Sequence, residues 1–173
     1  MQTIGFIGVG NIGMVICKHL IDSGHKVLGY RRSSLAEFEK IGGITAKSPA
    51  DVSSQADIVF SCLPGGSALD EVVTGPNGLL KNARRGQVVV ELGSHPIAAK
   101  ERQVARFAEK GVAFIDGEVS GTPGIEAGAD GQDICRCMPL SRYLWLGQQD
   151  QIHQQSAGHR KHRGHRRGHR ARP

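Results

Sequence analysis

Three glycines near the start of the chain have the spacing of a phosphate-binding turn. Gly8, Gly10 and Gly13 form the pattern G-x-G-x-x-G, directly after the apolar run 4–7 and before a helical pattern that ends at Gly24. In such a turn the first glycine permits a tight bend, the second lets the backbone approach a pyrophosphate, and the third lets the helix pack close to the strand. Because the first-turn N–H groups of a helix have no intrahelical partners, this order of elements predicts a dinucleotide site.

The end of the second strand-like run indicates which dinucleotide is bound. An NAD site needs Asp or Glu about 20 residues after the glycines, where the carboxylate binds the ribose 2′-OH. Here the chain has Arg31, Arg32 and Ser33 after Tyr30, and no carboxylate. Guanidinium groups can hold a 2′-phosphate in bidentate fashion. The sequence therefore favours NADP over NAD.

The elements that must position these residues alternate between strand and helix. Apolar runs typical of buried strands lie at 3–7, 26–30, 57–62, 87–92 and 112–116, and helical patterns lie at 11–23, 34–41, from 48 onward, at 68–73 and from 96 to 111. Alternating helices and near-continuous apolar strands are typical of a parallel sheet that is covered on both faces. We therefore expect an α/β fold of the doubly wound Rossmann type.

Two of the helical patterns predict which side chains face the sheet. On the first helix the expected apolar stripe consists of Ile12, Val15, Ile16, His19 and Leu20. On the last helix, Ile97, Val104, Phe107 and Ala108 are expected to share a face. Residues three, four and seven positions apart lie on one side of an α-helix, so both sets are expected to contact the core.

The positive charge of the chain is confined to its end. Of the 173 residues, the last 15 carry six Arg, one Lys and no acid, so the other 158 carry 15 basic and 16 acidic side chains. From about residue 131 the helical and strand periods stop, and Gly-His-Arg recurs at 158–160, 164–166 and 168–170. We expect a Rossmann domain over 1–130 and an irregular, disordered basic tail over 131–173.

Two interpretations of this tail are open. It is either the product of out-of-frame translation or a basic arm that binds nucleic acid or metal, and the coding of the Gly-His-Arg repeat favours the first. An arm on a Rossmann scaffold would bind nucleic acid through phosphate contacts, but the tail has no interleaved aromatic residues for base stacking. Cys135 and Cys137 have the wrong spacing for a zinc knuckle, so no metal site is expected.

The sequence favours a reducing, cytoplasmic setting. Met1 leads directly into a strand without a basic leader, and no apolar run approaches the ~20 residues that a membrane helix needs. Cys17 and Cys62 fall in a predicted helix and a predicted strand, which suits buried free thiols.

Four segments resemble the β-hydroxyacid dehydrogenases, a family that includes 3-hydroxyisobutyrate dehydrogenase, tartronate semialdehyde reductase and the cofactor domain of 6-phosphogluconate dehydrogenase. The opening Phe-Ile-Gly-Val-Gly-Asn-Ile-Gly at 6–13 is similar to the family's Gly-Leu-Gly-x-Met-Gly signature. Phe-Ser-Cys-Leu-Pro at 60–64 is similar to the family's strand-four end. Val-Val-Glu-Leu-Gly-Ser-His-Pro at 89–96 and Phe-Ile-Asp-Gly-Glu-Val-Ser-Gly-Thr at 114–122 are similar to two further stretches.

The motif and the resemblance together imply two sets of site residues. The cofactor set is Gly8, Gly10, Asn11, Ile12, Gly13, Arg31, Arg32, Ser33, Leu63, Pro64 and Ser94. The resemblance places Ser120, Gly121 and Thr122 where the family holds the carboxylate of a small hydroxyacid substrate. Thr122 replaces the family's second Gly, and Glu118 replaces its usual Pro and adds a negative charge close to this anion site.

The resemblance implies hydride transfer between NADP and a small 3-hydroxyacid or its semialdehyde. The family's catalytic Lys belongs to a helix of the form Gly-x-Gly-x-x-x-Lys-x-x-x-Asn, and this sequence has no such pattern: its one lysine after Lys110 is Lys161, within Arg-Lys-His. We therefore expect a truncated cofactor-binding domain that is inactive alone and lacks the helical domain through which family members oligomerise. An NADPH-dependent imine reductase of the same superfamily, which uses a residue other than Lys, is the alternative.

Overall fold

The described part of the chain forms a six-stranded parallel sheet in the order β3-β2-β1-β4-β5-β6. A computed structural model describes residues 2–117 and 119. The strands are β1 (Thr3–Ile7), β2 (Lys26–Tyr30), β3 (Ile44–Thr45), β4 (Ile58–Ser61), β5 (Val88–Glu91) and β6 (Ala113–Asp116). The helices are α1 (Asn11–Asp22), α2 (Ala36–Lys40), α3 (Pro49–Gln55), α4 (Gly66–Thr74) and α5 (Ile97–Glu109), with a 3₁₀ turn at Leu79–Lys81.

This strand order confirms the doubly wound Rossmann architecture that the sequence predicts. The chain leaves β1 toward β2 and β3 on one side, then crosses back to build β4, β5 and β6 on the other. A crevice therefore opens at the carboxyl ends of the central strands, where the strand order reverses. The short strand β3 and the 3₁₀ turn were not predicted from the sequence. The expected boundary between 130 and 131, and the whole segment 131–173, lie outside the described residues.

Both faces of the sheet are covered, since consecutive strand residues point to opposite sides. Phe6 and Phe60, which are register partners, stack with ring centroids 6.1 Å apart on the face that carries α1. On the other face Phe107 of α5 stacks on Phe114 of β6 at 5.6 Å. Gly5 lies between Val59 and α3, where a Cβ would collide with Val52. The two apolar faces explain why the strands are apolar almost without interruption.

The expected sheet-facing stripe of the first helix is only partly right. Ile16 and Leu20 are buried, but Ile12 and Val15 are exposed, and the buried face also contains Gly13 and Cys17. At its start the helix approaches β1 too closely for a side chain at Gly13, where a Cβ would collide with Phe6, so the buried face runs through Gly13, Ile16, Cys17 and Leu20 and leaves Ile12 and Val15 outside it.

The expected face of the last helix is wrong apart from Phe107. Ile97 is 77% exposed, Val104 is 48% exposed, and Ala108 is also exposed. The buried residues are Ala99, Gln103 and Phe107. Gln103 can be buried because its side-chain amide donates a hydrogen bond to the Asp70 carboxylate at 2.7 Å. The polar Gln103 therefore faces the core, and its apolar neighbour Val104 faces solvent.

Helix α4 is attached to α5 by a network centred on Asp70. Its Oδ1 accepts hydrogen bonds from Arg106 at 2.8 Å and Gln103 at 2.7 Å, and its Oδ2 accepts one from Arg102 at 3.1 Å. The hydrogen bond from Arg106, with those from Gln103 and Arg102, lowers the pKa of Asp70 below its ordinary value. The network fixes the helix whose other side faces the crevice.

No helix among the described residues is long and apolar enough to cross a membrane.

The Asp70 network should make the free energy of unfolding depend on pH. A carboxyl whose pKa is lowered by folding stabilises the folded state above its unfolded pKa of about 3.9, and this contribution disappears as the pH falls through the lower folded value. Asp70→Asn should reduce the free energy of unfolding at pH 7, because it removes the charge that the two arginines bind. The reduction should be only on the order of 1 kcal/mol, because the network is partly exposed to solvent. The difference from the wild type should shrink as the pH falls below about 4.

Urea denaturation of both proteins between pH 7 and pH 3 measures this difference. Asp22→Asn is the matched control, since Asp22 forms an exposed salt bridge with Lys18 within one helix. A loss for Asp70→Asn that is no larger than that of the control, or that does not change with pH, would contradict the assignment.

Candidate functional site

The ends of three strands converge on Gly8. Its N–H donates to the carbonyl of Tyr30 at the end of β2 at 2.9 Å, and a Cβ built on it would collide with the carbonyl of Cys62 at the end of β4. Its φ of +88° lies in the left-handed region that favours glycine. Gly8 therefore forms the tight turn predicted from its place in the motif.

The other two glycines of the motif differ in their surroundings. A Cβ on Gly13 would lie 2.5 Å from the carbonyl oxygen of Gly8 and 2.8 Å from the ring of Phe6, so this position sets how closely α1 approaches β1. A Cβ on Gly10 would have no heavy atom of the described chain within 4 Å. Space is therefore open in front of Gly10, as a site for an approaching ligand requires.

The amino terminus of α1 faces this open space. Gly10 is its N-cap and has no side chain to cap the helix, and the next residues, Asn11 and Ile12, are both exposed. The first intrahelical bond runs from the N–H of Met14 to the carbonyl of Gly10 at 2.7 Å. The N–H groups of the first turn are thus available to an anion, and the positive end of the helix dipole favours one.

The two arginines after β2 differ in burial and in hydrogen-bond partners. Arg31 is half-buried and donates from Nη1 to the carbonyl of Val9 at 2.9 Å, which ties this loop to the glycine turn. Its Nε is buried and has no hydrogen-bond partner among the residues that the structure describes. Arg32 is exposed and lies 3.5 Å from a carboxylate oxygen of Glu71 on α4.

A cleft of about 520 Å³ lies at the carboxyl ends of β1, β2 and β4. Of the cofactor residues predicted from the sequence, it brings together Gly8, Arg31, Arg32, Ser33, Leu63 and Pro64. Its opposite wall was not predicted and consists of Ala68, Glu71 and Val72 of α4 and the loop 75–78. A cleft of this size, apolar with a few charged groups at its mouth, suits a nucleotide.

The loop after β4 contributes a thiol that is not reactive. Cys62 is half-buried and immediately follows β4, so its predicted place within the strand is wrong by one residue. Burial, with a smaller contribution from the negative charge of Glu91, raises the pKa of Cys62, and burial raises the pKa of Cys17 to about 12. Both thiols stay protonated at neutral pH, which argues against nucleophilic catalysis by either.

The end of β5 carries a buried polar pair that sequence reasoning missed. Glu91 Oε1 lies 3.0 Å from His95 Nε2 and accepts a hydrogen bond from the N–H of Gly93 at 2.7 Å. Both side chains are fully buried. A Cβ on Gly93 would lie 2.9 Å from the carbonyl oxygen of Leu63, so the pair packs beneath the loop that lines the cleft. A glutamate at the end of an apolar strand was the available sequence signal.

The remaining predicted site residues do not line the cleft. Gly10, Asn11, Ile12 and Gly13 form the start of α1, outside the cleft lining. Ser94 is exposed in the loop between β5 and α5 and is not part of the cleft lining. Ser120, Gly121 and Thr122, with Glu118, lie outside the described residues.

Comparison with known proteins identifies the family. The model of the NAD binding domain of 6-phosphogluconate dehydrogenase matches residues 3–133. The chain belongs to this family. It is 37% identical over 125 residues to mitochondrial 3-hydroxyisobutyrate dehydrogenase of Rattus norvegicus, a match that covers 70% of this chain and 37% of the relative. It is 31% identical over 128 residues to 2-(hydroxymethyl)glutarate dehydrogenase of Eubacterium barkeri, which covers 72% of this chain and 42% of the relative.

A solved structure supports membership of this family. A structure described as Psf3 in complex with NADP⁺ and 2-OPP superposes with a TM-score of 0.65 at 30% identity, over 68% of this chain and 43% of that one. The chain thus spans about two fifths of the length of these relatives. The family resemblance inferred from the sequence is confirmed, and the domain is of the NAD(P)-binding type.

The surroundings of the motif glycines predict opposite effects of substitution. Gly10→Val should leave the fold intact, because the side chain enters open space, but should weaken dinucleotide binding at least tenfold by occupying the phosphate approach. Gly13→Ala should instead destabilise the fold by about 1–3 kcal/mol, since its Cβ overpacks the contact between α1 and β1.

Thermal melts and calorimetric titration with NADPH separate the two effects. A Gly10→Val variant that binds with wild-type affinity would show that Gly10 is only a turn residue. A Gly13→Ala variant as stable as the wild type would refute the close approach of α1.

Proposed function

We propose that the described domain binds NADP(H) in preference to NAD(H), with the pyrophosphate at the amino terminus of α1 and the adenosine half in the cleft. The observation that carries the preference is the pair Arg31 and Arg32 at the end of β2, in a stretch with no carboxylate before Glu37. A ribose 2′-phosphate carries charge that guanidinium groups bind well, and a ribose hydroxyl does not.

The two arginines support this binding in different ways. Arg32 is 72% exposed at the cleft mouth and is free to turn toward a phosphate, with Ser33 beside it as a further donor. Arg31 is held by the Val9 carbonyl, so it shapes the junction of loop and glycine turn and directs its remaining N–H groups to the same region. Arg32 is therefore the main phosphate ligand in this proposal, and Arg31 organises the site.

The remaining cofactor contacts follow the same edge of the sheet. Leu63 and Pro64 border the cleft at the loop after β4, on the far side of the glycine turn from Arg32, and are proposed to contact the ribose on the nicotinamide side, where the dinucleotide leaves the cleft. Ser94, exposed after β5, is proposed to contact the cofactor beyond the cleft itself. The proposed binding mode thus runs across the carboxyl ends of β2, β1, β4 and β5, as the switch-point rule requires.

The proposed reaction is hydride transfer between NADP(H) and a small 3-hydroxyacid or its semialdehyde. The bound nicotinamide supplies or accepts the hydride, and the protein binds and orients both reactants. Two relatives are named for such substrates, 3-hydroxyisobutyrate and 2-(hydroxymethyl)glutarate. The described residues form the cofactor half of this site, and the proposed carboxylate-binding residues are Ser120, Gly121 and Thr122.

Calorimetric titration of the chain with NADPH and NADH tests the cofactor preference. Charge-assisted hydrogen bonds contribute about 1.5–3 kcal/mol each, so NADPH should bind about tenfold or more tightly. Equal affinities or a preference for NADH would refute the proposal.

Substitutions distinguish the two arginines. Arg32→Ala should remove most of the preference for NADPH and leave NADH affinity nearly unchanged, whereas Arg31→Ala should weaken both dinucleotides because it releases the Val9 carbonyl. Arg85→Ala is the matched control, since Arg85 is an exposed arginine outside the cleft lining. An equal loss of both dinucleotides in Arg32→Ala would overturn its assigned role.

A further inference from the structure

A carboxylate from a distant part of the chain faces the residues proposed to bind the 2′-phosphate. Glu71 lies on α4, 39 positions after Arg32, and its Oε2 is 3.5 Å from Arg32 Nη1. Both side chains line the same cleft, from opposite walls. The carboxylate that the sequence lacks at the end of β2 is thus present in the cleft, supplied by another element.

We infer that Glu71 is a specificity-determining residue that weakens binding of a 2′-phosphate and so limits the preference for NADP(H). The inference rests on the proposed adenosine site. Arg32 must leave Glu71 to bind a phosphate fully, and the phosphate then lies close to an uncompensated carboxylate. A dinucleotide with a free 2′-OH neither separates Arg32 from Glu71 nor brings a second negative charge to the carboxylate, because a hydroxyl can donate a hydrogen bond to it.

The position of Glu71 is fixed by its neighbour in sequence. Asp70 is held by Arg102, Gln103 and Arg106 of α5, so the helix that carries Glu71 is anchored on its other side. Arg32 instead lies in the loop between β2 and α2 and is the more adaptable partner. The carboxylate therefore stays at the cleft wall while the guanidinium can move, and this keeps a negative charge near the site when a phosphate is bound.

The expected effect is a moderate one. The side chains of Arg32 and Glu71 are 72% and 64% exposed, and exposed ion pairs contribute little to stability. Breaking the pair is therefore inexpensive, and the carboxylate adjusts affinity without preventing phosphate binding. Removing its charge should raise the affinity for a 2′-phosphate about threefold to tenfold, and this gain should shrink at high salt.

Titration with two small probes isolates this effect. Adenosine 2′,5′-bisphosphate and adenosine 5′-monophosphate differ only in the 2′-phosphate. In Glu71→Gln the bisphosphate should bind about threefold to tenfold more tightly, and the monophosphate should change less than twofold. In the Arg32→Ala background part of the gain should remain, because the Glu71 carboxylate still repels the 2′-phosphate when its ion-pair partner is absent. Asp22→Asn is the control, because it removes one carboxylate from an exposed salt bridge at the far end of α1.

The outcomes separate this inference from the proposed cofactor preference. A Glu71→Gln variant that changes both probes equally, changes neither, or gains no more than Asp22→Asn overturns the role of Glu71, even where the wild type prefers NADPH. A wild type that prefers NADH, with a selective gain in Glu71→Gln, supports the role of Glu71 and refutes the preference. Failure of the wild type to bind either probe overturns both.

Discussion

The site depends on the meeting of three strand ends at one glycine. Gly8 can donate its N–H to the carbonyl of Tyr30 and lie against the carbonyl of Cys62 only because it has no side chain and a positive φ. Gly13 then packs on the Gly8 carbonyl, and Arg31 binds the carbonyl of Val9 between them. This close junction brings the loop after β2 and the loop after β4 to a common cleft beside Gly8, and α1 begins two residues after the last glycine-turn contact at Val9.

Most of the fold follows from local patterns in the sequence. The apolar runs at 3–7, 26–30 and 57–62 mark the central strands, and a parallel sheet with both faces covered allows no regular polar alternation in them. The glycine spacing locates the turn, because only glycine fits at Gly8 and Gly13. The faces of α1 and α5 were predicted less well, since they depend on how closely each helix approaches the sheet and on the partner that Asp70 offers to Gln103.

The candidate site was predicted on one side of the cleft only. Motif spacing identifies the glycine turn, Arg31, Arg32 and Ser33, which are close in sequence to the strands that position them. Glu71 lies on a separate helix, and its approach to Arg32 is a consequence of the crossover that places α4 opposite the loop after β2. The pair Glu91 and His95 is likewise a tertiary feature, since it forms where the end of β5 passes beneath Leu63.

The central claim is that a dinucleotide lies across the carboxyl edge of the sheet with its pyrophosphate at the start of α1. Amide chemical shifts measured by NMR during titration with NADPH test it most directly. The account predicts that the largest changes occur at the N–H groups of Gly10, Asn11, Ile12 and Gly13, with a second group at 31–33 and along the cleft wall at 68–72. The claim would be contradicted if the chemical shifts of these amides stayed the same, or if the largest shift changes lay at the amino-terminal edge of the sheet.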